Sequence, residues 1–168
     1  FHTIHEGDFT RLKMQYGSFN TTDEVGVIAR RDGSLDQVYA GEIFHTDGYQ
    51  DNSTWNKQNA AARFTYHVGE QLDAALGLRV HNASWDSPGY IPQRVYDQNP
   101  ARAVSDVNGG DKKWGQVQTD LTYRLNESSN FKWNGWVNSD DRTRSGSGMT
   151  GCQAGMVVWK SSSSRRIS

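Results

Sequence analysis

LDAALGLRVHNASW (72–85) places Leu72, Ala74, Leu76, Leu78 and Val80 at every second position, with Asp73, Gly77, Arg79 and His81 in most of the other phase. A repeat of two is the period of a β-strand, because successive side chains leave an extended backbone on opposite faces. What the apolar row meets decides both fold and function. In a soluble sheet it packs on a protein core; in a membrane barrel it meets lipid.

Six further segments alternate in the same way. RLKMQY puts Leu12, Met14 and Tyr16 opposite Arg11, Lys13 and Gln15. EVGVIAR is read with Val25, Val27 and Ala29 as its apolar row, although Ile28 falls in the other phase. VYAGEIFH is read through Tyr39, Gly41 and Ile43, and NAAARFTYHV through Ala60, Ala62, Phe64, Tyr66 and Val68. GQVQTDLTYRL sets Val117, Leu121, Tyr123 and Leu125 against Gln116, Gln118, Asp120, Thr122 and Arg124, and FKWNGWVN sets Phe131, Trp133, Gly135 and Val137 against Lys132, Asn134, Trp136 and Asn138. No segment has a helical period, so the chain reads as all-β, an antiparallel up-and-down meander of about seven strands.

Composition narrows the classes. The 168 residues carry 35% hydrophobic and 22% charged side chains, with no run of about 18 apolar residues that would make a transmembrane helix. That test does not touch a membrane barrel, whose strands offer lipid only alternate residues. A net charge of -1 leaves no basic surplus for phosphates, so no nucleic-acid partner is expected. The single cysteine, Cys152, has no partner for an internal disulfide. The start, FHTIHEGDFTRLKM, has no initiator Met and no signal-peptide pattern, which reads as a chain whose N-terminal part is missing.

The connections alternate as well. RRDGS (30–34), GEQ (69–71) and NESSN (126–130) are short turn-forming links, whereas 46–58 and the polar run from Trp85 to Lys113 are long. Short turns on one edge and long loops on the other describe a membrane barrel with periplasmic turns and extracellular loops. Aromatics recur near strand ends, at Tyr16, Phe19, Tyr66, Trp85, Trp114, Tyr123, Phe131 and Trp133, where interfacial girdles would lie. Residues 145–168, rich in Gly and Ser, read as a flexible tail, with GMVVW too short to assign as a strand.

YGSFNT (16–21), HTDGYQDNSTWNKQNAAARFTY (45–66), ASWDSPGYIP (83–92) and NGGDKKWGQVQTDLTYRL (108–125) together resemble, in order, the first part of the barrel of TonB-dependent outer-membrane receptors. The resemblance spans roughly residues 8 to 144, and the assigned domain is 1–144. It implies part of a barrel of about 22 strands filled by a plug. The parent protein would take up a scarce nutrient, most naturally a ferric siderophore, in the outer membrane of a Gram-negative bacterium. Its partners would be outer-membrane lipid, its own plug, the TonB complex and that iron-bearing ligand. No plug, TonB box or aromatic-ended closing strand appears in these residues, so the chain reads as a fragment that by itself neither transports nor couples to TonB.

Extracellular ligand contact is assigned to Tyr49, Trp55, Trp85, Tyr90, Arg94, Tyr96, Arg102 and Trp114, since aromatic faces and cations suit an anionic chelate. The plain alternatives are that Trp85 and Trp114 are girdle residues and that the others pack or solvate loops. Arg63, Arg79, Asp120, Arg124 and Lys132 are expected on the lumen side, facing the plug. His45, His67 and His81 lack metal-ligand spacing, and Asp47 and Asp51 lack a calcium-loop pattern, so no metal or cofactor is expected. No nucleophile elbow, phosphate loop or paired catalytic carboxylate is visible, so catalysis is not expected. The rival reading is a secreted β-sandwich module gripping carbohydrate with Trp and Tyr; a hydrolase fragment is a third. One open sheet exposing Phe64, Leu72, Leu76, Leu78 and Leu121 would favour the receptor, and two stacked sheets burying them would favour the sandwich.

Overall fold

The computed structural model describes residues 8–104, 107–126 and 129–145, together with the backbone of 151–154. Its strands are β1 (Phe9–Gly17), β2 (Thr21–Asp32), β3 (Leu35–Thr46), β4 (Trp55–Val68), β5 (Leu72–Asp86), β6 (Gly109–Asn126), β7 (Ser129–Ser145) and a short β8 (Gly151–Ala154). Each pairs antiparallel with its sequence neighbour, in the order β1 to β8. This is the all-β up-and-down meander expected from the alternation. The described residues form one open sheet, with no second sheet stacked upon it.

Several boundaries differ from the sequence reading: the connection read as 46–58 shortens to 47–54, since β4 begins at Trp55, and β2 runs on to Asp32 within the link read as 30–34. The run from Trp85 to Lys113 is not all loop: β5 continues to Asp86 and β6 begins at Gly109, because small or polar residues still make ladder bonds once their neighbours are aligned. A one-turn helix, α1 (Gln93–Tyr96), sits within the remaining loop. Within the stretch read as a tail, Gly151–Ala154 pairs with Asp141–Arg144. GMVVW (155–159) and the residues after it lie outside the described residues.

The edges of the sheet differ in character. At one, Gly33 (φ 56°) and Gly69 (φ 62°) turn the β2–β3 and β4–β5 links through left-handed backbone that suits glycine. Neighbouring hairpins join there through His67 N–H to Ser34 O (2.8 Å) and Arg124 N–H to Gln71 O (2.7 Å). At the other edge, Phe19 (φ 59°) and Asn20 (φ 53°) form the centre of a tight β1–β2 turn, closed by Thr21 N–H to Ser18 O at 3.3 Å. Positive φ at both central residues is the type I′ geometry, whose twist matches that of the strands it joins.

Directly opposed residues share a face, so register sorts the side chains. The row Leu72, Ala74, Leu76, Leu78 and Val80 lies opposite Val68, Tyr66, Phe64, Ala62 and Ala60 on one side. On its other side it lies opposite Tyr123, Leu121, Thr119, Val117 and Gly115. Phe131, Trp133, Gly135 and Val137 continue that face on β7, and Tyr39, Gly41 and Ile43 continue it on β3. On β2 the assigned phase is overturned: Ile28 opposes Tyr39 and belongs to the apolar face, whereas Val25, Val27 and Ala29 oppose Glu42, Ala40 and Val38 on the other. Both phases of β2 are apolar near its middle, so alternation alone was ambiguous there.

The apolar face is exposed. Leu12 (71%), Val80 (59%), Leu76, Leu78 and Leu121 are open, while Phe64 and Leu72 are half-buried by their neighbours. Among the described residues the buried hydrophobic ones are Ala29 and Ala83, and both lie on the opposite face. That is the reverse of a soluble sheet, which buries its apolar side.

The apolar band also crosses the ladder obliquely. The register row through Met14, centre of the β1 apolar residues, runs Met14, Glu24, Ile43, Gln58, Asn82, Lys113, Asp141. The band centre lies six residues from that row at Phe64 on β4, six at Leu76 on β5 and eight at Leu121 on β6. On β7 it lies at position 134, seven residues from Asp141. At about 3.4 Å per residue and about 4.8 Å between strands, this drift is about 24 Å along the strands over about 29 Å across them, a slant of about 40°.

Glycine tolerance tests the register. A Cβ on Gly110 would lie 2.6 Å from Thr143 O and 2.8 Å from the Trp85 ring, whereas one on Gly26 meets nothing within 4 Å. Gly110→Ala is expected to destabilise the sheet by about 1–3 kcal/mol in urea unfolding. Gly26→Ala should cost nothing and stabilise by as much as about 1 kcal/mol.

Candidate functional site

The face opposite the apolar band carries the charges, and register draws them into three clusters. At the short-turn edge, Arg31 on β2 donates to both oxygens of Asp36 on β3 (Nε to Oδ1 2.5 Å, Nη2 to Oδ2 2.8 Å). His67 on β4 stands between Asp36 (Nε2 to Oδ2, 2.9 Å) and Asp73 on β5 (Nδ1 to Oδ1, 2.7 Å). Arg124 on β6 closes the chain by donating to Asp73 and to Glu70 O (3.0 Å). An ionised carboxylate only accepts, so an imidazole that satisfies both neighbours donates from both nitrogens as a cation.

Midway along the strands, Asp120 on β6 accepts from Arg63 Nη1 on β4 (2.9 Å), Gln118 Nε2 (3.1 Å) and Asn134 on β7. Nearer the long-loop edge, Glu42 on β3 accepts from Lys57 Nζ and Asn59 Nδ2, each at 2.5 Å, and Asn59 is linked in turn to His81 Nδ1 at 2.6 Å. Lys13 with Asp23 (3.5 Å) and Lys112 with Asp140 (3.7 Å) are looser pairs on the same face. Most of these carboxylates are largely covered, so their charges are matched within the sheet rather than left to water.

All five residues expected on the lumen side share this face. Arg63, Asp120 and Arg124 belong to the clusters above, Arg79 lies opposite Gln116, and Lys132 opposite Thr122. Lys132 makes no ion pair among the described residues. Asp36, Glu42, Lys57 and Asn59 are cluster members that were not singled out, while His67 was weighed only as a metal ligand and Asp73 only as part of a polar phase. Their polar phase was visible in the sequence, but their partners lie on other strands. The three histidines do not converge, because His45 opposes Asn56 on the apolar side while His67 and His81 lie on the charged one.

The loop candidates divide into two groups. Trp55, Trp85 and Trp114 stand at the long-loop end of the charged face: Trp55 opposes Trp85, and Trp114 opposes His81 and Asp140. Trp85 and Trp114 thus lie on the charged face, whereas Tyr16, Tyr66, Tyr123, Phe131 and Trp133 lie on the apolar one. Trp55 meets Phe44 edge-on at 6.4 Å, and Lys57 Nζ lies 5.2 Å from the Phe44 ring centroid. Tyr49, Tyr90, Arg94, Tyr96 and Arg102 lie in the connections beyond the strands; Tyr90 is 100% exposed, and Tyr49 packs edge-on against Phe19 at 5.8 Å.

What this arrangement offers chemically is a charged, self-paired wall with an aromatic rim, opposite a continuous apolar surface. Comparison with protein-family models and with curated proteins finds no match for this chain.

Asp120 is the acceptor on which the middle cluster converges. Asp120→Ala should destabilise the sheet by roughly 1–3 kcal/mol in urea unfolding, since Arg63, Gln118 and Asn134 lose a partly buried acceptor. Lys132→Ala, which breaks no described ion pair, is expected to stay within about 0.5 kcal/mol of the parent.

Proposed function

We propose that this chain is part of the wall of an outer-membrane β-barrel, specifically the first barrel strands of a TonB-dependent receptor. The observation that carries the reading is the exposed apolar band running from β1 to β7, narrowed to Ile28 on β2, opposite a face whose carboxylates are paired. Its slant of about 40° falls in the range of strand tilt in membrane barrels, about 35–45°. The apolar row of β5 runs from Leu72 to Val80, eight residues or about 27 Å along the strand, hence about 21 Å along the normal of a bilayer crossed at that tilt. A lipid-facing barrel belt is about 25 Å tall.

In this reading the charged face lines the lumen and meets the plug through Arg63, Arg79, Asp120, Arg124 and Lys132. Trp55, Trp85 and Trp114 stand at the outer mouth, with the loops bearing Tyr49, Tyr90, Arg94, Tyr96 and Arg102 above them. The parent barrel, of about 22 strands with its plug, captures a scarce nutrient such as a ferric siderophore at that mouth and releases it inward when TonB moves the plug. The wall contributes binding and containment, not bond-breaking chemistry.

A lipid-facing row is tested by charge at its centre. In the protein refolded into phosphatidylcholine vesicles, Leu78→Arg should lower stability by about 2–4 kcal/mol, and Tyr123→Arg, nearer the belt's edge, by about 0–1 kcal/mol. Polarised infrared spectroscopy of the same bilayers should give a strand tilt of about 35–45°. Folding to the same sheet in plain buffer, with Leu78→Arg harmless in vesicles, would overturn the reading.

A further inference from the structure

The connection 47–54 is wired internally before it touches anything else. Ser53 Oγ accepts from Gln50 N–H (3.1 Å) and donates its one hydrogen to the Gln50 carbonyl, with the Asp47 carbonyl 3.2 Å away, while Gly48 (φ 76°) leaves no room for a Cβ beside Ser53. Its first residue is held from the other side, where Asp47 N–H donates to Phe19 O at 2.9 Å and Tyr49 meets the Phe19 ring.

From this unit one side chain reaches the β5–β6 connection at both of its roots. Asn52, in left-handed backbone (φ 55°), donates from Nδ2 to Ser87 O (3.1 Å) and lies 3.4 Å from Asn108 O. Ser87 and Asn108 are themselves bonded, Ser87 N–H to Asn108 O at 2.9 Å, so the Asn52 amide seats on the point where that loop leaves and rejoins the sheet. Two further bonds tie the loops higher up: Asp51 N–H to Ala101 O (2.8 Å) and Gln50 Nε2 to Pro100 O (3.2 Å). The β1–β2 turn, the β3–β4 loop and the β5–β6 loop are thereby joined across β1 to β6.

We infer that Asn52 is the positioning residue of the ligand-receiving surface: its amide clamps the two long loops into one preassembled cap, so that Tyr49, Tyr90, Arg94, Tyr96 and Arg102 are displayed in fixed relation before any ligand arrives. This role rests on the proposed receptor reading for its purpose, but the clamp itself is a property of the loops. Asparagine is suited to the position twice over, since it tolerates left-handed backbone and carries an amide donor that aspartate and glycine lack. A preset cap spares the ligand the entropy of ordering two loops.

Trypsin supplies the test, because Arg94 and Arg102 are exposed within the clamped loop and are cleaved only as that loop opens. The full protein in detergent is nicked after Arg94 and Arg102 while its β-sheet circular dichroism and melting temperature are followed in parallel. Asn52→Gly keeps the backbone conformation and removes only the amide; it should speed nicking roughly tenfold with the sheet signals unchanged. Asn52→Asp, which turns an acceptor toward the two carbonyls, should do the same or more. Wild-type nicking rates in Asn52→Gly would overturn the clamp and leave only a backbone preference. Failure of the lipid experiments with fast nicking in both variants would instead overturn the receptor reading and keep the clamp.

Discussion

Backbone ladder bonding holds this sheet together, since scarcely any apolar side chain is buried within it. Ala29 and Ala83 are the buried hydrophobics among the described residues, and neither lies on the apolar face. Without a core, register alone decides what meets what, and the same register has opposite consequences on the two faces. On one it assembles a continuous hydrophobic surface whose partner must come from outside the sheet. On the other it must place each carboxylate beside a donor, because Asp36, Asp73 and Asp120 are too covered for water to serve them fully. A slip of one residue would exchange the faces and separate the clusters together.

How much of this was legible from the chain follows from the same cause. Where one phase is mostly apolar and the other mostly polar, as in β4 to β7, the period of two marked face and strand together. It failed on β2 because the charged face has an apolar floor, Val25, Val27 and Ala29 beside Val38, Ala40 and Ala61, so neither phase of that strand is polar at its middle. The clusters were hidden for another reason: Arg63 and Asp120 are 57 residues apart, and Arg124 and Asp73 are 51 apart. Alternation says that such residues share a face, but only the summed lengths of the intervening turns say that they share a height. Nearness to a strand end carries no information about side, so the sequence did not tell that Trp85 and Trp114 lie on the charged face.

The slant links the two faces. The row through Arg31 runs Arg31, Asp36, Thr65, Ala75, Asp120. The first charge cluster does not follow it: His67 on β4 and Asp73 on β5 are each displaced by two residues, and Arg124 on β6 by four, all toward the short-turn edge. Arg63 and Asp120 repeat the step, since Arg63 lies level with Gln118 through Gly77 and finds its partner two residues further on. About one residue per strand is the drift within these two clusters, whereas Glu42, Asn59 and His81 lie level and Lys57 steps two residues the other way; seven residues over six strand steps is the drift of the apolar band on the other face. Salt-bridge geometry and hydrophobic patterning are selected by different forces, yet the Arg31-to-Arg124 chain and the Arg63–Asp120 pair share the inclination of the band. Strands tilted alike to one common plane have this property, because side chains at equal height above that plane fall on a line oblique to the ladder on either face.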